Sequence, residues 1–192
     1  DMNLGTVQAK QDIVLTTASE NGSVNNVLTE EELADDKLNL DADGNVTVQT
    51  GSGSIGSAEK PLEVNVGNDE AGNATGGTMT AQCGSGIYLE AEDNLTLIAD
   101  SAQRLVEVTA EKDISVSDIH DALDPNSPDH LTGSALGGGS VHVDSTVSIG
   151  TAEDPFDIQS DATVGGTVSL KGEDVFVLQP DGDMLITEIQ AQ

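Results

Sequence analysis

The chain has 192 residues, enough for one or two domains, and sets 35 Asp+Glu against 6 Lys+Arg for a formal net charge of -29. Such a surface repels nucleic-acid phosphates and anionic headgroups, so neither nucleic acid nor an anionic membrane is an expected partner, and no apolar run reaches the ~18 residues of a membrane-crossing helix. Aromatics are 2% of the chain and the apolar set is mostly Val, Ile, Leu and Ala, which excludes a core built on large rings. The regular recurrence of those aliphatics argues against disorder despite the acidity.

Taken in chain order, alternation at period 2 is the dominant signal. It predicts short strands at Thr6–Ala9, Ile13–Thr16, Leu38–Leu40, Val46–Gln49, Leu62–Val66, Thr78–Ala81, Ile87–Glu90 and Leu95–Ile98. It continues through Leu105–Thr109, Ile114–Ser117, Ser140–Val143, Phe156–Gln159, Thr167–Leu170, Val175–Leu178 and Met184–Ile189. Turn residues punctuate them at Gly44-Asn45, Asp93-Asn94, Glu111-Lys112-Asp113, Gly172-Glu173-Asp174 and Pro180-Asp181-Gly182-Asp183. Two segments break the rhythm and are expected to be loops inserted into a regular scaffold. Val27–Lys37 has Thr29 as an N-cap with Glu32 three residues on, the signature of one short helical turn. His120–Gly139 is rich in Pro, Gly and Ser.

The chain also repeats itself. Gly53–Val66 (GSIGSAEKPLEVNV) returns as Val147–Ser160 (VSIGTAEDPFDIQS), with Ser54/Ser148, Ile55/Ile149, Gly56/Gly150, Ala58/Ala152, Glu59/Glu153 and Pro61/Pro155 at one offset of 94 residues. Gly76-Gly77-Thr78-Met79 then finds a counterpart in Gly165-Gly166-Thr167-Val168. The sequence therefore divides into about two copies of one long module. Ile55 and Ile149 are expected to point inward at equivalent corners. Many short strands, similar phrases recurring, and few Asn-Gly or Asp-Gly hairpin connections together predict an all-β parallel β-helix, a solenoid with two inserted loops over residues 1–192; the alternative is an antiparallel β-sandwich.

Signals for chemistry are sparse. Asp41 and Asp43, and Asp181 and Asp183, have the alternating carboxylates of a calcium loop but lack its distal bidentate Glu, and Asp/Gly clusters are also ordinary turns. His120, Asp121, Asp124, Asp129 and His130 share one stretch but match no zinc spacing, so solvated histidines are the simpler reading. Cys83 alone forms no intramolecular disulfide and reads as a small, partly buried residue. Four Asn-x-Ser/Thr tripeptides, at Asn21, Asn45, Asn73 and Asn94, fall within turn-rich composition. A polysaccharide lyase or hydrolase would need paired carboxylates in a groove together with cationic and aromatic groups for the sugar, and Arg104 is the only arginine. No catalysis and no cofactor other than calcium are expected; the alternatives are a polysaccharide-active β-helix enzyme and a calcium-organised surface binding module.

The phrase G-S-I-G-x-A-x-x-P-L-x-V-x-V, followed by G-G-T-M-T-A, G-x-I-Y-L, N-L-T-L and D-I-x-V, resembles the repeats of large bacterial surface exoproteins of the filamentous-haemagglutinin type, most clearly over Ser54–Leu97 and Ser140–Leu185. That resemblance implies a right-handed coil and a structural, adhesive rod, secreted or on the bacterial cell surface, whose partners would be a host-surface protein or glycan. It implies no catalytic or binding residues. Opening on Asp1-Met2-Asn3 in mid-phrase, without a signal-peptide pattern, the sequence reads as a segment of something longer. Strand-like residues at both ends predict open sheet edges, and so a monomer in dilute buffer that stacks end to end once its charge is screened.

Overall fold

The alternation builds a coil. The computed structural model describes residues 1–68, 73–118 and 130–192, and every ladder between its strands is parallel. The first rung is β1 (Met2–Leu4), β2 (Val7–Ala9) and β3 (Ile13–Thr16); the second is β4 (Val24–Asn26), helix α1 (Glu30–Ala34), β5 (Leu40–Ala42) and β6 (Val46–Gln49). Then come β7 (Leu62–Val66) with β8 (Met79–Cys83), β9 (Ile87–Ala91) with β10 (Leu95–Ser101), and β11 (Leu105–Ala110) with β12 (Ile114–Asp118). The remaining rungs are β13 (His130–Gly137) with β14 (Val141–Asp144), β15 (Ser148–Ile149) with β16 (Phe156–Gln159) and β17 (Val168–Gly172), and β18 (Val177–Leu178) with β19 (Ile186–Ala191).

Each rung gives one strand to each of two long sheets. The first sheet runs β2-β5-β7-β9-β11-β13-β16-β18, with β15 also on β13, and the second is the 8-stranded β3-β6-β8-β10-β12-β14-β17-β19. A narrow third face is made by the β1–β4 pair and by single bridges at Val24–Ile55, Ile55–Ile87 and Ile149–Val175. This is a parallel β-helix, and the antiparallel sandwich does not form.

The core is a set of stacked columns. Along the second sheet, Ile13, Val46, Met79, Leu97, Val116, Val143, Leu170 and Ile189 are successive register partners, one from every rung. All but Ile189 are buried. Each such aliphatic contributes about 1.5–3 kcal/mol by leaving water. The first sheet has a matching column of Leu62, Leu89, Val108, Ala135 and Ile158. With so narrow an interior, Phe156 is the only aromatic that is fully buried among the described residues. A polar ladder marks the corner between the two sheets. The backbone N–H of Asn45 donates to Asp12 Oδ1 (2.8 Å) and that of Thr78 to Asn45 Oδ1 (3.1 Å). The series continues from Asp113 to Asn94 Oδ1, from Ser140 to Asp113 Oδ1 and from Thr167 to Ser140 Oγ.

Two expectations are corrected. The repeating unit is the single rung, with equivalent positions 18 to 33 residues apart; the long offset carries the Ser-Ile-Gly phrase from the third rung to the seventh. In the predicted insert His120–Gly139, residues 130–137 are strand β13, in register with both β11 and β16. Gly and Ser suggested a loop, but ladder bonds from both neighbours hold the segment extended, and Leu131, Ala135 and Gly137 fill interior positions. Residues 119–129, with His120, Asp121, Asp124 and Asp129, lie outside the described residues.

Candidate functional site

Strand alternation turns Glu63 of β7 outward between buried Leu62 and Val64, and Glu90 of β9 outward between buried Leu89 and Ala91. Glu63 and Glu90 are register partners, so their backbones lie about 4.8 Å apart on adjacent rungs. The insertion carrying α1 leans over this part of the first sheet. Between them lies a groove of about 470 Å³, lined by Leu33, Asp36, Lys37 and Leu38 from the insertion and by Glu63, Glu90, Ala91, Glu92 and Glu111 from the rungs. Burial, and then the neighbouring Glu90 carboxylate, push Glu63 up to about 7. Glu92 is also raised, first by burial and then by Asp93, Asp36, Glu111 and Asp41. The one lining cation, Lys37, is paired with Glu32 at 3.2 Å.

The insertion is built as its sequence predicts. Thr29 Oγ1 accepts from the backbone N–H of Glu32 (3.2 Å), and the Thr29 N–H donates to Glu32 Oε2 (3.0 Å), a full capping box. No residue of α1 is buried. The segment is held at its ends instead. Leu28 is buried and its carbonyl accepts from Lys60 Nζ. Asn26 and Asn39 are buried, and Asn39 Nδ2 donates to Asn26 Oδ1 (3.1 Å) and to the Leu4 carbonyl (2.9 Å) while its Oδ1 accepts from the Glu63 N–H (3.0 Å). Glu63 therefore belongs both to the carboxylate pair and, through its backbone bond to Asn39, to the anchorage of the insertion.

The sequence-predicted positions are scattered. Asp41 is a cross-rung tie, its carboxylate accepting from Gln8 Nε2 (2.6 Å) and Asn65 Nδ2 (3.1 Å). Asp43 is in the following turn, where its carbonyl accepts from Thr75 Oγ1. Asp181 and Asp183 are on the last rung, far from Asp41, at the rim of a depression of about 670 Å³ that also includes Asp161. Asp161 is committed to the Thr163 hydroxyl and N–H, which hold its carboxyl below the ordinary range. Among the described residues no three His, Cys, Asp or Glu side chains converge as a metal site. His130 opens β13 opposite Ser148, Cys83 is buried at the end of β8 with its thiol pushed up by burial, and Arg104 is 1% exposed. The Glu63–Glu90 pair escaped sequence reasoning. Its signal, Leu62-Glu63-Val64 and Leu89-Glu90-Ala91, is ordinary strand alternation until the register is known.

No family model, curated protein or solved structure matches the chain.

Proposed function

We propose that the chain is a stiff segment of a secreted or cell-surface bacterial exoprotein of the filamentous-haemagglutinin type, projecting an adhesive region and offering loops to a host-surface protein or glycan. The observation that carries this reading is the aliphatic column from Ile13 to Ile189, which passes through every rung without a break. Stacked rungs resist bending because each is hydrogen-bonded to its neighbours along the whole sheet, and stability sums along one dimension. The lateral surface is dominated by carboxylates and carries few exposed large apolar groups away from the end rungs, as suits a spacer that must not adhere along its sides. Antibody raised against the chain should label intact cells of the source bacterium or its culture medium. Labelling confined to lysed cells would overturn the reading.

A polysaccharide-active enzyme is the second reading, favoured by the paired Glu63 and Glu90 in a groove. The groove offers it little else: Arg104 is buried, Lys37 is engaged by Glu32, and Tyr88 lines a separate shallow depression beside Glu90 and Glu107. Turnover of a polysaccharide that disappears in Glu63→Gln and Glu90→Gln would establish it.

A further inference from the structure

We propose that the insertion Val27–Leu38 is a flap over the first sheet whose closure is gated by protonation of Glu63, opposite Glu90 on the groove wall. The geometry supplies the three parts of such a device. The first is a movable element: α1 buries none of its residues and is tied to the coil only through its flanks, at Leu28, Asn26 and Asn39. Few buried contacts and exposed helical hydrogen bonds mark a segment that opens locally at low cost. The second is opposing charge. The flap carries Glu30, Glu31, Glu32, Asp35 and Asp36 against the single Lys37, and it closes over a wall bearing Glu63, Glu90, Glu92 and Glu111. Carboxylate therefore faces carboxylate across the groove; the lining ammonium, Lys37, is paired within the flap, and Lys112, beside Glu92 and Glu111, is paired with Asp93.

The third part is a group that titrates where the flap needs counter-charge. Glu63 is half-buried and directly opposite the Glu90 carboxylate on the next rung, so burial and that neighbouring charge favour its protonated form. Glu90 faces Glu63 from β9; Asp36 and Lys37 line the groove from the flap, and on the rungs Glu92 is approached by Asp36, Asp41 and Glu111, with Lys112 beside Glu92 and Glu111. A proton held by Glu63 removes one negative charge from the side of the groove to which the flap is anchored, since Asn39 bonds the backbone of Glu63 in both directions. Loss of that proton adds one more negative charge to the wall that the flap's carboxylates face, and the flap swings away. The device is independent of whether the rod is adhesive.

Nitroxide labels at Ala34→Cys on the flap and Thr109→Cys on β11, in a Cys83→Ser background, report the gap directly. Far-UV circular dichroism confirms that each variant is folded. The distance distribution should be narrow and short at about pH 5.5 and longer and broader by several ångström at about pH 8.5, on either side of the Glu63 titration. Glu63→Gln/Glu90→Gln should stay short at both values, while Glu59→Gln, away from the groove, should respond like the parent. If the double variant does not fold, Glu63→Gln alone is read the same way. Equal distances at both pH values in the parent, or an unchanged pH response in the Gln variants, would overturn the proposal.

Discussion

Ile55 and Ile149 occupy the same place on two rungs down to their hydrogen bonds. The Ile55 N–H donates to the Gly86 carbonyl (3.0 Å) and its carbonyl accepts from Tyr88 (2.8 Å); Ile149 does the same with Asp174 and Phe176 (both 2.8 Å). The glycine that follows is needed at both sites. Gly56 and Gly150 have φ of 69° and 66°, and a Cβ on either would lie 2.4 Å from a carbonyl oxygen of the next rung, Tyr88 or Phe176. Ile55→Ala and Ile149→Ala should each cost about 2–5 kcal/mol in denaturant unfolding, and two neutral replacements would refute the equivalence. Glu63 adds a pH term. Its folded-state value is raised from 4.5 to about 7, so the folded chain holds a proton that the unfolded chain has lost. Its contribution therefore falls as pH rises between those values and is flat above them. Glu63→Gln should raise stability at about pH 8 by roughly 1 kcal/mol, a figure discounted for solvent screening because the group is half exposed. At about pH 4 the substitution should be nearly neutral, so equal effects at both pH values would contradict this origin.

At the scale of elements, the buried Asn26–Asn39 pair does for the second rung what aliphatic columns do elsewhere: it fixes where the chain leaves the coil for α1 and where it returns. Asn39→Leu should destabilise by about 2–4 kcal/mol, since the Leu4 carbonyl and the Glu63 N–H would each lose a buried partner. A melting temperature unchanged by the substitution would show those groups satisfied by other means. Strands and the helical cap were legible in the sequence because both are local: alternation, turn residues and Thr29 with Glu32 need no knowledge of neighbours. Boundaries slipped by a residue or two, as at β5, and β1, β4 and β15 were missed because two or three residues carry too little alternation to register. β13 was missed for a different reason. His130–Gly137 has the composition of a loop and is a strand only because β11 and β16 pair with it from either side. The candidate site failed to show for the same reason, since Glu63 and Glu90 meet through register, and register is a property of the whole coil.

For the whole molecule, the balance is between columns of burial and a net charge of -29. The self-repulsion of that charge acts along the whole coil and is screened as the Debye length shortens from about 10 Å at 0.1 M salt to about 3 Å at 1 M. The 192-residue polypeptide should melt several degrees higher at the upper salt concentration. Light scattering should report a monomer in dilute buffer, with mass rising at high salt or near the sequence pI of about 4.1; constant mass under both conditions would exclude end-to-end stacking. The central claim is that the rungs stack in parallel and in one register, and paired cysteines test it most directly. In a Cys83→Ser background, Thr47→Cys with Thr80→Cys, and Ser115→Cys with His142→Cys, place thiols on register partners of adjacent rungs, within the ~4.4–6.8 Å Cα separation that a disulfide spans. Both pairs should oxidise rapidly to intramolecular disulfides, and a pair displaced by two residues along the strand, Thr47→Cys with Gln82→Cys, should not. Equal oxidation of the displaced pair, or none in the register pairs, would contradict the coil.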